Sequence, residues 1–190
     1  MLAILATDLR YGIGNKPTKE CPTGIPWKSS LDFQIYRYLT SGRTKWCSKS
    51  TYATLPSHVQ ARGDYRLLTE TPWQRWEYTF DDVLALPKSE RDARHILIGG
   101  LKAYEYLIPK VCDVTVHTII HTHRKCDFKL QPHTEFKLRP HTLFQYNTVM
   151  RVFDWPGTDS QPSQPPISVD IYFNEGKYIP QDFIQFLKTL

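Results

Sequence analysis

Apolar residues fall along the 190-residue chain in short blocks of two kinds, and the kinds alternate. Residues 1–7 form a continuous apolar run that ends in polar residues, the mark of a strand buried on both faces. In residues 29–39, SSLDFQIYRYL, the positions Leu31, Ile35 and Leu39 build one helical stripe, with Ser29 placed as its N-cap. Residues 44–47 and 65–69 predict strands, and residues 50–55 and 80–86 predict short helices between them. Residues 95–98 predict a strand that runs into Gly99 and Gly100; residues 101–107 then carry helical spacing up to a stop at Pro109. Residues 114–120 predict the next strand. Residues 143–153 and 167–173 predict two late strands with no helix between them, hence an antiparallel pair at a sheet edge. The alternation as a whole predicts an α/β fold.

Breakers mark the connections. Residues 8–26 hold Gly12, Gly14, Pro17, Pro22 and Gly24, too many for a regular element and enough length for a cover over a site. Residues 156–166 are rich in Pro, Ser and Gln. Residues 177–190 predict a helical extension packed on the domain of residues 1–176.

Composition narrows the class. With 41% hydrophobic and 23% charged residues, disorder as the main state is excluded, and a chain of this length buries roughly 70% of its unfolded surface. The net charge of +5 is spread through the sequence, which favours anionic small molecules without pointing to nucleic acid. No apolar stretch approaches the ~20 residues that span a bilayer, so no membrane partner is expected. Cys21, Cys47, Cys112 and Cys126 stand far apart and form no paired motif, and no basic region precedes the opening apolar run. A cytoplasmic protein is expected, and a monomer.

Several motifs then follow in order: the opening LAILA, GIG at 12–14, and Ile25, Pro26 and Trp27 with Asp32 a short distance on. Behind these come Lys49, Ser50, Thr51 and Tyr52, then Arg62, then ILIGGLKAYEYLIPK at 96–110. In this order and spacing the chain resembles the dihydrofolate reductase family over residues 1–175. The resemblance implies a central, mostly parallel eight-stranded sheet with an antiparallel C-terminal edge hairpin and flanking helices. It implies reduction of 7,8-dihydrofolate to tetrahydrofolate, with hydride passing from NADPH to pterin C6 while N5 gains a proton, and antifolates as competing ligands.

The site residues follow from the same resemblance. Asp32 pairs with the pterin amino group and N3 side, and Trp27 anchors a water beside it. Ile4, Phe33, Tyr36 and Leu55 line the pterin and aminobenzoyl slot, and Arg62 holds the glutamate carboxylate with its guanidinium fork. Ala6 and Ile13 match positions that contact the nicotinamide, and Ile98 is a further cofactor-binding position. Gly99, Gly100, Lys102 and Tyr104 match the diphosphate end, with a cis peptide between the two glycines. Lys49, Thr51 and Thr69 match positions near the adenosine 2′-phosphate, with Glu70 directly after Thr69, and Ser50 is a further cofactor-binding position.

The chain also departs from the family. Ser48 stands where a glycine is usual, Leu101 where a small residue is usual, and residues 16–23 lengthen the cover loop. His117 takes the place of a threonine that bonds the catalytic acid, and is expected to donate to Asp32; Thr118 is one residue out of register, unless a bulge restores it. His117, His121 and His123 alternate on one strand in a spacing that also suits a metal, although no acid or cysteine completes a hydrolase pattern. A further alternative is a reductase-like protein with weakened catalysis that acts as a folate-binding or assembly module.

Overall fold

A computed structural model describes residues 1–130, 146, 148–157, 164–174, 176–177 and 181–190. The chain enters through β1 (Leu2–Asp8), a strand with almost no exposed residue, and passes by a loop carrying β2 (Gly12–Gly14) into α1 (Ser30–Thr40). Ser29 ends the loop in extended conformation and accepts a hydrogen bond from the Asp32 backbone N–H, so the predicted N-cap forms. Next come β3 (Thr44–Ser48), α2 (Lys49–Thr54), α3 (Ser57–Gln60), β4 (Tyr65–Leu68), β5 (Glu77–Tyr78), α4 (Phe80–Ala85) and α5 (Lys88–Arg94). The second half holds β6 (His95–Gly99), α6 (Leu101–Val111), β7 (Val114–Ile120), β8 (Phe128–Lys129), β9 (Thr148–Trp155), β10 (Ile167–Phe173) and α7 (Gln181–Leu187).

Eight of these strands form one sheet in the order β5-β4-β3-β6-β1-β7-β10-β9. All neighbours from β5 to β7 are parallel, β10 runs antiparallel to β7, and β9 returns antiparallel on the edge. The remaining two, β2 and β8, pair separately. The expected mostly parallel sheet with its C-terminal edge hairpin is therefore present.

Period-two alternation divides the core between the two faces. Leu2 and Ile4 of β1, with Val114 and Val116 of β7, meet Leu31, Ile35 and Leu39 of α1 and Phe183 and Leu187 of α7. Ala3 and Leu5, pointing the other way, meet Ala103, Leu107 and Ile108 of α6. Ile35 is fully buried, and truncation to alanine there would cost about 2–5 kcal/mol. Such burial holds the start of α1, and with it Asp32, in a fixed place on the sheet.

Two expectations about local structure need correction. The helix after Gly100 does not stop at Pro109 but continues to Val111. Buried Leu107 and Ile108 draw the last turn onto the sheet, and Glu105, whose carbonyl loses the proline as a donor, lies on the exposed side of the helix. Nor is the loop of residues 8–26 without regular structure: β2 forms within it by pairing with β8, a partner more than a hundred residues away. The start expected for the strand at residue 143 lies outside the described residues.

Candidate active site

A pocket of about 1210 Å³ opens at the carboxyl ends of the central strands. Ile4 and Ala6 of β1, Ser48 of β3 and Ile98 and Gly99 of β6 form its floor, where sheet order places β1 beside β6 although β3 follows β1 in the chain. A reversal of strand order of this kind leaves a crevice above the strand ends, the usual ligand position in open α/β sheets. Helix α1 forms one wall through Asp32, Phe33 and Tyr36; α2 with Leu55 and Val59 forms another. The loop of residues 13–30, including Ile13, Trp27 and Lys16, forms the cover.

Asp32 is the single acid among the described lining residues. The cavity leaves it partly open, while protein surrounds its carboxyl on the remaining sides, and that loss of water pushes its pKa from 3.8 up to about 6. A smaller opposing effect comes from the Thr118 hydroxyl, which faces the carboxyl without making a well-formed hydrogen bond to it. Beside Asp32 the indole of Trp27 is buried, and its Nε1 has no protein partner among the described residues. Burial likewise raises the Tyr36 phenol and pushes the Cys47 thiol up to about 12, so neither ionises near neutrality.

The arrangement of β7 overturns the expectation for His117. Strand β7 pairs with β1 residue for residue without a bulge, so Thr118 opposes Ala6 on the Asp32 side, and His117 opposes Leu5 and points to the far face. There His117 is fully buried, and its Nε2 lies 2.8 Å from Thr7 Oγ1. Thr7 Oγ1 also donates to the Asp8 carbonyl at 2.9 Å, and on its other side the His117 ring lies with Nδ1 3.5 Å from the Tyr172 hydroxyl. Burial, seconded by the Arg151 charge, pushes the His117 pKa down to about 3 and keeps the ring neutral. No bulge is needed for Thr118 to face the acid, because ordinary alternation puts it there. Among the described residues no group of three or more His, Cys, Asp or Glu gathers to hold a metal ion.

The opposite end of the pocket is built by Gly99, Gly100 and the hydroxyls of β3 and α2. All peptide bonds among the described residues are trans, so the expected cis bond between the two glycines is absent; Gly99 makes the turn with φ 155 instead. A Cβ on Gly99 would lie 2.9 Å from Thr51 Cγ2, and one on Gly100 2.6 Å from Ser48 Oγ, so both positions exclude a side chain. Ser48 does not crowd this corner: its Oγ caps α2 by accepting from the Thr51 N–H, and lies 3.0 Å from Ser50 Oγ. Gly100 opens the eleven-residue helix α6 without a side-chain cap, so its first N–H groups have no side-chain partner from the cap residue, and Gly100 and Leu101 both line the pocket. Tyr104 reaches back from α6 to donate to the Ile4 carbonyl at 2.8 Å.

Three residues expected near ligand stand apart from the pocket. Arg62 is exposed beyond α3, with no ion pair among the described residues. Lys49 turns away to the nearly buried carboxylate of Glu77 at 2.7 Å, a bond that holds Glu77 below the usual carboxylate range. Thr69 is half-buried behind Glu70, and Glu70 takes Lys102, the expected diphosphate-end lysine, into an exposed pair at 3.0 Å. Conversely, Lys28, His58 and Gln164 line the pocket without having been singled out; they come from a loop, the short α3 and the link to β10, which no local pattern joins.

Comparison with solved structures finds a dihydrofolate reductase from Enterococcus faecalis, complexed with NADP(H) and the compound RAB-propyl. The match has a TM-score of 0.64 and 19% identity, and covers 92% of this chain and 95% of that one. This chain has the dihydrofolate reductase fold. No protein-family model matches the chain, and no curated protein does. Within the dihydrofolate reductase fold described here, Asp32, Trp27 and the Gly99–Gly100 corner all face a single cavity.

Proposed function

We propose that the chain reduces 7,8-dihydrofolate to 5,6,7,8-tetrahydrofolate at the expense of NADPH. The observation that carries this reading is the carboxyl of Asp32, the single acid among the described lining residues, set among the apolar side chains of Ile4, Phe33, Tyr36 and Leu55 and pushed up to about 6 by loss of water. An acid of this kind exchanges a proton in the working range and, when ionised, pairs with the N–H donors of a flat heterocycle. Phe33, Tyr36, Ile4 and Leu55 supply the apolar walls that align such a ring.

The pocket's other end fits a dinucleotide on the chain's own features: two glycines that exclude side chains, an uncapped helix start, and the hydroxyls of Ser48, Ser50 and Thr51 across from them. When bound, the cofactor supplies the hydride. The chain's part is to seat the two rings against each other, exclude water beneath the cover loop, and hold a proton at Asp32.

Loss of absorbance at 340 nm with NADPH and dihydrofolate, followed from pH 5 to 9 for the protein and for Asp32→Asn, tests the reading. Turnover by the parent and its loss in the variant are expected. Folate binding without NADPH consumption would replace the reductase with a binding module, and neither binding nor turnover would refute both.

A further inference from the structure

Asp8 ends the central strand β1 two residues beyond the pocket-lining Ala6, and its carboxylate is buried, 1% exposed, with no cationic side chain paired to it among the described residues. Backbone amides satisfy it instead. Oδ1 accepts from the N–H groups of Arg10 and Gly12, each at 2.8 Å, and Oδ2 accepts from the N–H of Arg124 at 3.1 Å. The donors come from two loops far apart in sequence, the cover loop after β1 and the connection from β7 to β8. The two short strands these loops lead into supply pocket wall: Ile13 and Gly14 of β2, Phe128 of β8.

The surroundings show how tightly this joint is made. A Cβ on Gly12 would lie 2.5 Å from Cys126 Sγ and 3.0 Å from Asp8 Oδ1, so only glycine admits the approach. Beyond it β2 pairs with β8, and the outer rim closes through Asp127 N–H donating to Asn15 Oδ1 at 2.7 Å and Lys16 N–H donating to Asp127 Oδ2 at 3.0 Å. The rim bonds are exposed, whereas at the root the bond from Gly12 is buried and those from Arg10 and Arg124 are partly buried, and a buried carboxylate is costly to deprive of its donors.

We propose that Asp8 is a positioning residue that clasps the two loops together and so sets the Ile13–Gly14 wall against the dinucleotide end of the pocket. The inference rests on the reductase reading for the identity of that ligand, though not for the clasp itself. Asparagine at this position offers one oxygen and one amide group. Whichever way it turns, one loop's N–H meets a donor and the clasp opens on that side.

The test uses the full chain and Asp8→Asn, with NADPH binding read by quenching of tryptophan fluorescence and methotrexate binding read as the probe of the Asp32 end. NADPH affinity is expected to fall about tenfold or more, methotrexate affinity to change less than about twofold, and unfolding to stay cooperative. Amide exchange is expected to quicken in residues 10–16 and 122–128 while β1 and β6 stay protected. Parallel weakening of both ligands would overturn the proposal, since it means general loosening; unchanged binding of both would overturn it too. If the parent binds neither ligand, the reductase reading fails by itself. The exchange pattern then decides on the clasp alone: selective quickening of the two loops upholds it, and none refutes it.

Discussion

Replacing Asp32 with asparagine should make the unliganded protein more stable at neutral and alkaline pH, although it removes the group on which the proposed reaction depends. The folded-state pKa is about 6 against an ordinary value of 3.8, so the native state binds the proton more tightly than the unfolded chain. Stability therefore falls as pH rises through that window, and above it the ionised carboxylate costs about 3 kcal/mol at 1.36 kcal/mol per pH decade. Asparagine has the same shape, leaves the Ser29 cap on the residue-32 N–H intact, and carries no charge to desolvate. Against this stands the loss of a favourable negative charge in the first turn of α1, about 0.3–1 kcal/mol. A net gain of about 2 kcal/mol remains, or about 4–8 °C in Tm for a chain of this size. Thermal unfolding of both proteins from pH 4 to 8 without ligand checks it: the curves should converge near pH 4 and separate by pH 7, the variant above. An antifolate that pairs with the carboxylate should reverse the order. A gap that does not change with pH, or a parent more stable at pH 8, would refute the argument that burial of a charge controls this site.

Two other outcomes follow from geometry. His117→Phe should leave the pH–rate profile between pH 5 and 9 unchanged in shape, because the ring faces away from Asp32 and already stays neutral there; loss of its bond to Thr7 should cost about 1–3 kcal/mol, seen in urea unfolding. A new inflection or loss of turnover at full folding would contradict that placement. Glu70→Gln should remove the acid that directly follows Thr69, a residue expected near the 2′-phosphate, and raise the preference for NADPH over NADH by about two- to fivefold at low salt, with the gain disappearing at high salt; an unchanged ratio would show that Glu70 lies away from the 2′-phosphate.

Local patterns carried much of the fold. The stripe of Leu31, Ile35 and Leu39 behind Ser29, the apolar run into Gly99 and Gly100, and the two late strands without an intervening helix are each written within a dozen or so consecutive residues, and each formed. The pocket residues Ile4, Ala6, Asp32 and Tyr36 were legible through the family resemblance, and they share the pocket because each lies within one element, Asp32 and Tyr36 one helical turn apart.

Local sequence therefore specifies the set of elements, their order, and one acid and one glycine corner as the groups that carry chemistry. The tertiary structure alone decided which side of β7 meets Asp32, because a strand shows two faces and only its pairing with β1 chooses between Thr118 and His117. It also decided that Lys49 serves Glu77, that Arg62 stays outside the pocket, and that Asp8 joins two loops more than a hundred residues apart. Periodicity reports how a residue sits within its own element. The pairing of charges and backbone donors brought together by folding depends on contacts between elements, and no local spacing encodes these.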